Sequence, residues 1–186
     1  CVLASFALGT LVGSSVLAAE SWVPLPTGRS AGQLPAYVIS DDKAQATLVL
    51  LPGGDADTGN VINDKPGSNN FLSRSRELFA QQGFNVMVLY RATDLSAMDN
   101  RYRASAAHMA ELREAVAYAR RQFNNKPVWL VGTSKGTVSA AAAGIAFESG
   151  LVDGLVLTAT ITHMRSGGVS SLPINRISVP VLVVHH

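Results

Sequence analysis

Residues 128–136 read VWLVGTSKG, an apolar run followed at once by a glycine-serine turn, and the stretch after it is rich in alanine. The run VWLV is typical of a buried strand, and Gly136–Phe147 has the length and composition of a helix that packs closely on a sheet. The turn between them has the pattern G-x-S-x-G, with a glycine two residues either side of Ser134. This order of strand, turn and helix predicts that Ser134 lies in a tight turn at the carboxyl end of a strand.

The same alternation of strands and helices continues outward from this stretch. Continuous apolar runs predict further strands over Thr47–Leu51, Phe84–Tyr90, Leu155–Ile161 and Val179–Val184. A period of three to four residues predicts helices over Phe71–Gln82 and from Asp99 or Asn100 to Phe123. Two shorter runs, Trp22–Leu25 and Pro35–Ile39, flank a turn and predict an antiparallel pair at one sheet edge.

The fold class that this pattern predicts is α/β. We expect a doubly wound, mostly parallel sheet with helices on both faces. The runs at Leu155–Ile161 and Val179–Val184 are apolar without alternation, which favours strands in the covered centre of that sheet. The segment between them, Thr162–Ser178, is too short to hold a helical cap, so no cap domain is expected.

Composition limits the classes of function. The chain has 186 residues, of which 47% are hydrophobic and 15% charged, as in one globular domain. Its 15 Lys and Arg are scattered among 13 Asp and Glu, so the net charge is only +2 and no basic stripe predicts nucleic-acid binding.

The first 19 residues differ from the rest because they carry no charge before Glu20. Such a run, ending in small residues, resembles part of a secretory signal peptide. We therefore expect residues 1–19 to direct export to the periplasm or outside the cell, with residues 20–186 forming the domain. An uncleaved membrane anchor is the alternative. Cys1 lies inside this segment and is the only cysteine, so a thiol nucleophile in the domain is excluded.

A glycine loop upstream completes the pattern around Ser134. LVLLPGG, residues 48–54, precedes VWLVGTSKG with one strand and helix between them, and in this respect residues 22–186 resemble the α/β-hydrolase family. The resemblance implies that Ser134 is the nucleophile and that backbone N–H groups of Gly54, with Gly53 beside it, and of Lys135 bind the oxyanion. Gly132 and Gly136 would have a geometric role, since they let strand and helix pass closely.

The sequence does not show which acid and which histidine would activate such a serine. The family places an acid and then a histidine after the serine, but Glu148 and Asp153 precede a strand at the opposite sheet edge. His163, His185 and His186 follow strand ends on the correct edge, and none is followed by an acid.

We therefore expect the acid and base beyond His186, so that these residues are an inactive fragment lacking both the start of the signal and the carboxyl-terminal part. The alternative is a true 186-residue protein that has lost its catalytic machinery. The three late histidines are candidates for the edge of the site, although a lone histidine at a strand end can also be purely structural. His108, within the long helix, is expected to pack or to face solvent.

The predicted reaction is hydrolysis of a carboxylic ester, small or polymer-linked, through an acyl-enzyme on Ser134, with no cofactor and no metal. Asp55, Asp57 and Gly59 depart from a calcium loop because the glycine falls one position early. A peptidase, thioesterase or acyltransferase of the same fold, and a non-catalytic binding protein, stay open as alternatives. Membrane contact is expected only through the export signal.

Overall fold

The structure is a computed structural model, and it describes residues 19–163 and 167–185. Within these residues seven strands form one sheet with the order β1-β2-β4-β3-β5-β6-β7. The strands are β1 Ala19–Pro26, β2 Gln33–Ser40, β3 Ala46–Leu51, β4 Phe84–Leu89, β5 Val128–Thr133, β6 Gly154–Thr158 and β7 Val181–Val184. The helices are α1 Phe71–Arg74, α2 Arg76–Gln81, α3 Asn100–Arg103, α4 Ala106–Gln122 and α5 Gly136–Ala146, followed by two 3₁₀ turns, Val169–Ser171 and Ile174–Arg176.

The pairing of the strands confirms the predicted α/β class. β1 pairs with β2 and β2 with β4 in antiparallel fashion, whereas β4, β3, β5, β6 and β7 are mutually parallel. The predicted antiparallel pair therefore lies at one edge of a mostly parallel sheet. The carboxyl ends of β3 and β5, where the glycine loop and Ser134 begin, come side by side because Leu51 pairs with Gly132.

Helices cover both faces of the sheet, as predicted. On β3, Val49 packs into the cluster that contains buried residues of α4 and α5. Its neighbours Leu48 and Leu50 point the other way, into the cluster that holds Leu72 of α1. A strand that buries both of its faces cannot alternate apolar and polar residues, which explains the continuous run TLVLL.

Two of the predicted helices are interrupted. Phe71–Gln82 is divided at Ser75. In the second segment Arg76 is buried, whereas the apolar side chain of Leu78 is 61% exposed. The Arg76 guanidinium donates to the carbonyl of Ser73 and lies over the ring of Tyr37, so the second segment turns this side chain inward.

The long helix is divided as well. Asp99 caps α3, as predicted, but a second cap, Ser105, accepts a hydrogen bond from the N–H of His108 and begins α4. The apolar positions predicted to face the sheet, from Met109 to Phe123, are buried in α4 and at its end. The break escaped prediction because the apolar period begins only after it.

The last two strands differ from the expectation, β6 in its length and β7 in how far its side chains are buried. β6 ends at Thr158 rather than at residue 161. β7 is the edge strand among the described residues, and its four side chains are 41–56% exposed, so the described elements do not supply the cover that the sequence predicted for this strand. Composition indicates that a strand is apolar, but it does not indicate which elements lie over it.

Residues 1–18, on which the prediction of an export signal or anchor depends, lie outside the described residues, as does His186. In the part of the chain that is described, none of the helices has the length and apolar character needed to cross a membrane.

Candidate active site

Ser134 lies in the two-residue turn between β5 and α5, with a positive φ of 52°. Its N–H donates to the carbonyl of Thr158 on β6 (3.1 Å), and its carbonyl accepts from both the N–H and the Oγ1 of Thr137 (3.0 and 2.6 Å). A left-handed conformation at a residue with a side chain is strained and persists only where the surrounding structure imposes it. The turn therefore holds Ser134 at the carboxyl end of the sheet in the manner of a nucleophile elbow.

The glycines on either side of the turn lie where a side chain would meet backbone atoms. A Cβ on Gly132 would lie 2.5 Å from the carbonyl oxygen of Gly136. A Cβ on Gly136 would collide with the carbonyl oxygen of Leu51 at the end of β3. Because both obstacles are backbone atoms, no side-chain rotation relieves them. Glycine at these positions lets α5 start directly against β3 and β5.

The predicted oxyanion loop lies directly beside the serine. A Cβ built on Gly53 would be 2.9 Å from Ser134 Cβ, so the backbone of this loop lies against Ser134. Gly54 is exposed and has a φ of 59°. Within the described residues, neither the Gly54 N–H nor the Lys135 N–H donates a hydrogen bond, whereas the Ser134 N–H is occupied by Thr158. Two unoccupied donors next to a serine are what an oxyanion hole needs.

The side chains beside these donors add positive charge. Lys135 Nζ lies 3.8 Å from a carboxylate oxygen of Asp55, the residue after Gly54, and Arg91 Nη1 lies 4.0 Å from the other oxygen. All three side chains are partly exposed, so each pair contributes little to stability. The predicted role of Lys135 depends on its backbone N–H, and the side chain points to the loop that carries the other donor.

One acid and two histidines that follow the serine lie near opposite ends of the parallel strands. Asp153 lies at the amino-terminal end of the parallel strands, where it accepts from the N–H of Val128 and pairs with Arg120. His163 and His185 follow β6 and β7, and both are exposed. In residues 19–163 and 167–185, no side chain is hydrogen-bonded to Ser134 Oγ.

A different serine, histidine and acid are joined beneath the site, where sequence reasoning expected none. Ser139 Oγ of α5 is 3.0 Å from His108 Nε2, and His108 Nδ1 is 2.9 Å from Glu111. The three residues are 0–2% exposed, so substrate cannot reach Ser139. Glu111 also accepts from Tyr102 Oη and Arg29 Nη2, both at 2.7 Å. This set, with Arg103, is called the buried network below.

Arg103 joins the buried network to the oxyanion loop. Its guanidinium donates to Ser139 Oγ and to the carbonyls of Pro52 and Gly54, each at 3.1 Å. The side chain is almost completely buried, and desolvation lowers its pKa to about 10. Arg103 is therefore still charged at neutral pH.

The protonation states of His108 and Glu111 follow from their burial and from their hydrogen-bond partners. Burial lowers the pKa of His108, and the hydrogen bond with Glu111 only partly opposes this effect, so the ring is neutral at pH 7. Burial alone would raise the pKa of Glu111, but hydrogen bonds from His108, Tyr102 and Arg29 outweigh it and lower that pKa. Because an ionised carboxylate can only accept, the proton of the neutral ring is on Nδ1, which donates to Glu111. Nε2 then accepts from the hydroxyl of Ser139.

Sequence reasoning missed the buried network, although one signal was present. His108 and Glu111 stand on the same face of α4 as Leu112 and Ala115, which are fully buried. A histidine and an acid three residues apart on the apolar face of a helix indicate a buried polar contact. The identity of the partners was not available from this spacing, because Arg29, Arg103 and Ser139 come from three other parts of the chain.

A polar cavity of about 490 Å³ opens beside the oxyanion loop. It begins at Gly53 and Gly54 and extends along the segment between β3 and α1. Its remaining lining is mostly polar side chains and glycine: Asp57, Gly59, Asn60, Gly67, Ser68, Asn69 and Asn70. Among the described residues, no group of three or more His, Cys, Asp or Glu is placed to hold a metal ion.

Comparisons with known proteins agree with this architecture. No protein-family model matches the chain, and the search of curated proteins found no match. Among solved structures, a cold-adapted esterase from an Arctic intertidal metagenomic library is similar, with a TM-score of 0.61 and 16% identity over 97% of this chain and 77% of that one. An α/β serine hydrolase homologue from Coxiella burnetii has a TM-score of 0.62 and 14% identity over 90% and 73%. A lidless α/β serine hydrolase from Xanthomonas campestris has a TM-score of 0.59 and 17% identity over 91% and 71%.

These similarities, together with the seven-stranded sheet, show that the chain has the α/β-hydrolase fold that its sequence motifs predicted. At such low identity they establish the fold and leave the chemistry to be argued from the site.

Proposed function

We propose that the protein is a serine hydrolase that cleaves carboxylic esters through an acyl-enzyme on Ser134. The observation that carries the proposal is the positive φ of Ser134 in the turn between β5 and α5, beside two N–H groups without acceptors in the described residues. That three structural neighbours are esterases or serine hydrolases by name supports the same reaction.

The proposed reaction has two halves. Ser134 Oγ attacks the ester carbonyl, its proton passes through a general base to the leaving alcohol, and the bond between the acyl carbon and the alcohol oxygen breaks. Water then attacks the acyl-enzyme by the same route and releases the carboxylic acid. In both tetrahedral intermediates the N–H groups of Gly54 and Lys135 would donate to the oxyanion, and one such donor is typically worth about 3 kcal/mol.

The general base is the part of the proposal that the described residues do not supply. His108 is buried away from the serine in contact with Ser139. In the described part of the chain, neither His163 nor His185 has a carboxylate within ion-pair distance. The reaction therefore needs a histidine and an acid that the described residues do not place beside Ser134.

The proposal is tested on the full-length protein with a fluorophosphonate label and an ester assay. We expect the wild type to be labelled at Ser134 and Ser134→Ala to be unlabelled, with ester turnover reduced on the order of 10⁶-fold. Ser139→Ala is the matched control, because this second serine is buried and should leave the labelling of Ser134 in place. Labelling that persists unchanged in Ser134→Ala would disprove the assignment.

The same assay distinguishes between the candidate classes of substrate. An oxygen ester, a thioester and an amide with the same acyl group distinguish esterase from thioesterase and peptidase chemistry, and an added alcohol reports acyl transfer. The polar cavity beside Gly54 favours acyl or alcohol groups that carry hydroxyl or amide groups over plain alkyl groups of equal size. Fastest turnover of a long alkyl ester would contradict this preference.

We also propose that the protein is exported, on the basis of the uncharged run at residues 1–19. Fractionation of cells that express the full-length protein, with and without these residues, tests this. Equal cytoplasmic recovery of both forms would disprove it.

A further inference from the structure

One buried arginine contacts both elements that carry the proposed oxyanion donors. Arg103 Nη2 donates to the carbonyls of Pro52 and Gly54 in the oxyanion loop, and Nη1 donates to Ser139 Oγ on α5. Lys135 is the N-cap residue, immediately before the first residue of α5. The same guanidinium therefore links the loop of the first donor, Gly54, to the helix that follows the second.

The contacts to the loop determine the direction of the Gly54 N–H. This N–H belongs to the peptide between Gly53 and Gly54, and the carbonyl of that peptide accepts from the N–H of Ala56 (3.1 Å). In a trans peptide the N–H and the carbonyl point in opposite directions, so this bond turns the N–H away from Ala56. Arg103 holds the carbonyls of the peptides before and after it.

Without Arg103 the hydrogen bond from Ala56 would be the one remaining contact, among those described, that opposes rotation of that peptide. Gly54 has a φ of 59° and no side chain, and no atom lies within 4 Å of the position that a Cβ would take, so its surroundings do not restrict it. A rotation that turned the Gly54 N–H away from the substrate would remove one oxyanion donor. The contacts of Arg103 to Pro52 and Gly54 oppose such a rotation.

The buried network holds Arg103 in place. Ser139 accepts from Arg103 and donates to His108, and His108 donates to Glu111, which is fixed by Arg29 and Tyr102. From Arg103 through Ser139 and His108 each donor points toward Glu111, whereas the second amino group of Arg103 donates the other way, to the oxyanion loop. Within the described residues Arg103 has no carboxylate within 4.0 Å, so carbonyl and hydroxyl oxygens take the place of an ion pair.

We propose that Arg103 is a positioning residue of the oxyanion hole, which sets the direction of the Gly54 N–H and is itself held by Ser139, His108 and Glu111. The proposal rests on the proposed function, because it presumes that Gly54 donates to an oxyanion at Ser134. Arg103 does not touch the substrate, and it acts through the backbone of the loop.

The test compares kcat, KM and the inhibition constant of a boronic acid in full-length Arg103→Gln and wild type. A boronic acid forms a tetrahedral adduct on the serine and so reports oxyanion binding. We expect kcat to fall about 10²-fold while KM changes less than about threefold, because the misplaced donor acts in the transition state. Boronic acid binding should weaken by a similar factor to kcat, and fluorophosphonate should still label Ser134.

Arg120→Gln is the matched control. Arg120 also donates to backbone carbonyls, those of Lys126, Gly150 and Leu151, but at the amino-terminal end of the parallel strands. We expect it to lower the stability and to leave kcat and boronic acid binding unchanged. If Arg103→Gln fails to fold, Ser139→Ala removes one contact of Arg103 and should show the same pattern with a loss in kcat of about tenfold.

The outcomes separate the two proposals. If Arg103→Gln has the kcat and boronic acid binding of the wild type, the positioning role is overturned and the proposed hydrolase function is unaffected. The same conclusion follows from Ser139→Ala if only that variant folds. Losses no different from those of Arg120→Gln would also overturn it. A wild type that is neither labelled at Ser134 nor active on esters would overturn the proposed function and this inference with it.

Discussion

His108 shows how far one buried side chain can depart from the behaviour of the same residue in water. It lies between Ser139 and Glu111 and is 2% exposed, whereas His163 is exposed. Burial disfavours the charged ring, and the nearby guanidinium groups of Arg103 and Arg29 disfavour it further, so its pKa is lowered despite the carboxylate of Glu111.

The stability of the protein should therefore depend on pH through His108. The unfolded chain takes up a proton as the pH falls through 6.5, the ordinary pKa of histidine, but the folded chain does not until the pH reaches the lowered pKa. The free energy of unfolding is fully retained above pH 6.5 and falls below it. Urea unfolding at pH 8, 6 and 5 measures this decrease.

Two variants identify the group responsible. In His108→Gln the decrease between pH 8 and pH 5 should be much smaller, although the protein will be less stable at every pH because polar contacts are lost. In His163→Gln the decrease should be the same as in the wild type, since that side chain is exposed. An unchanged pH dependence in His108→Gln would contradict the assignment.

At the level of elements, the approach of α5 to β3 depends on the first glycine of the helix. A Cβ on Gly136 would collide with the carbonyl oxygen of Leu51, whereas a Cβ on Gly144, two turns later, would lie 2.6 Å from the end of the Leu155 side chain. Backbone atoms cannot move aside without displacing the strand, but a leucine can change its rotamer.

Gly136→Ala and Gly144→Ala should therefore differ although both place an alanine in the same helix. We expect Gly136→Ala to lower the free energy of unfolding by about 3 kcal/mol or more, because α5 must move away from β3. In Gly144→Ala the gain in helix propensity, about 1 kcal/mol, offsets the smaller clash. Chemical denaturation of both variants measures the difference, and equal losses would show that the helix can move freely.

The whole sheet has two unlike edges in the described residues. At one edge β1 pairs with β2 and carries Glu20, which contacts Lys65 (2.8 Å) and Tyr37. At the other edge β7 exposes Val181, Leu182, Val183 and Val184. An exposed apolar edge strand pairs readily with other chains, whereas charges on an edge strand oppose such pairing.

A chain of residues 19–186 should therefore self-associate through β7. We expect light scattering to show oligomers that grow with concentration, and Leu182→Lys to reduce them strongly. Ile62→Lys is the control, since Ile62 is 64% exposed but lies in the segment between β3 and α1, which contacts β1 at the opposite edge of the sheet. Equal association of the two variants would exclude β7 as the interface.

Much of the architecture was readable from local patterns. Continuous apolar runs located the strands, and the motif around Ser134 predicted the turn, because strand formation and tight turns depend on residues close together in sequence. The division of two helices at Ser75 and Ser105 was not predicted, since an apolar period does not show a cap at which one helix ends and the next begins.

By itself the sequence determined the α/β class, the strand order along the chain, and the candidate site at Gly53, Gly54, Ser134 and Lys135. Only the tertiary structure showed that β7 is the edge strand among the described residues and that Arg103, His108, Glu111 and Ser139 form one buried network beneath the oxyanion loop. The physical reason is distance along the chain: Arg103 lies 49 residues from Gly54 and 36 from Ser139. Contacts between such residues depend on how whole elements pack, which no local pattern of side chains records.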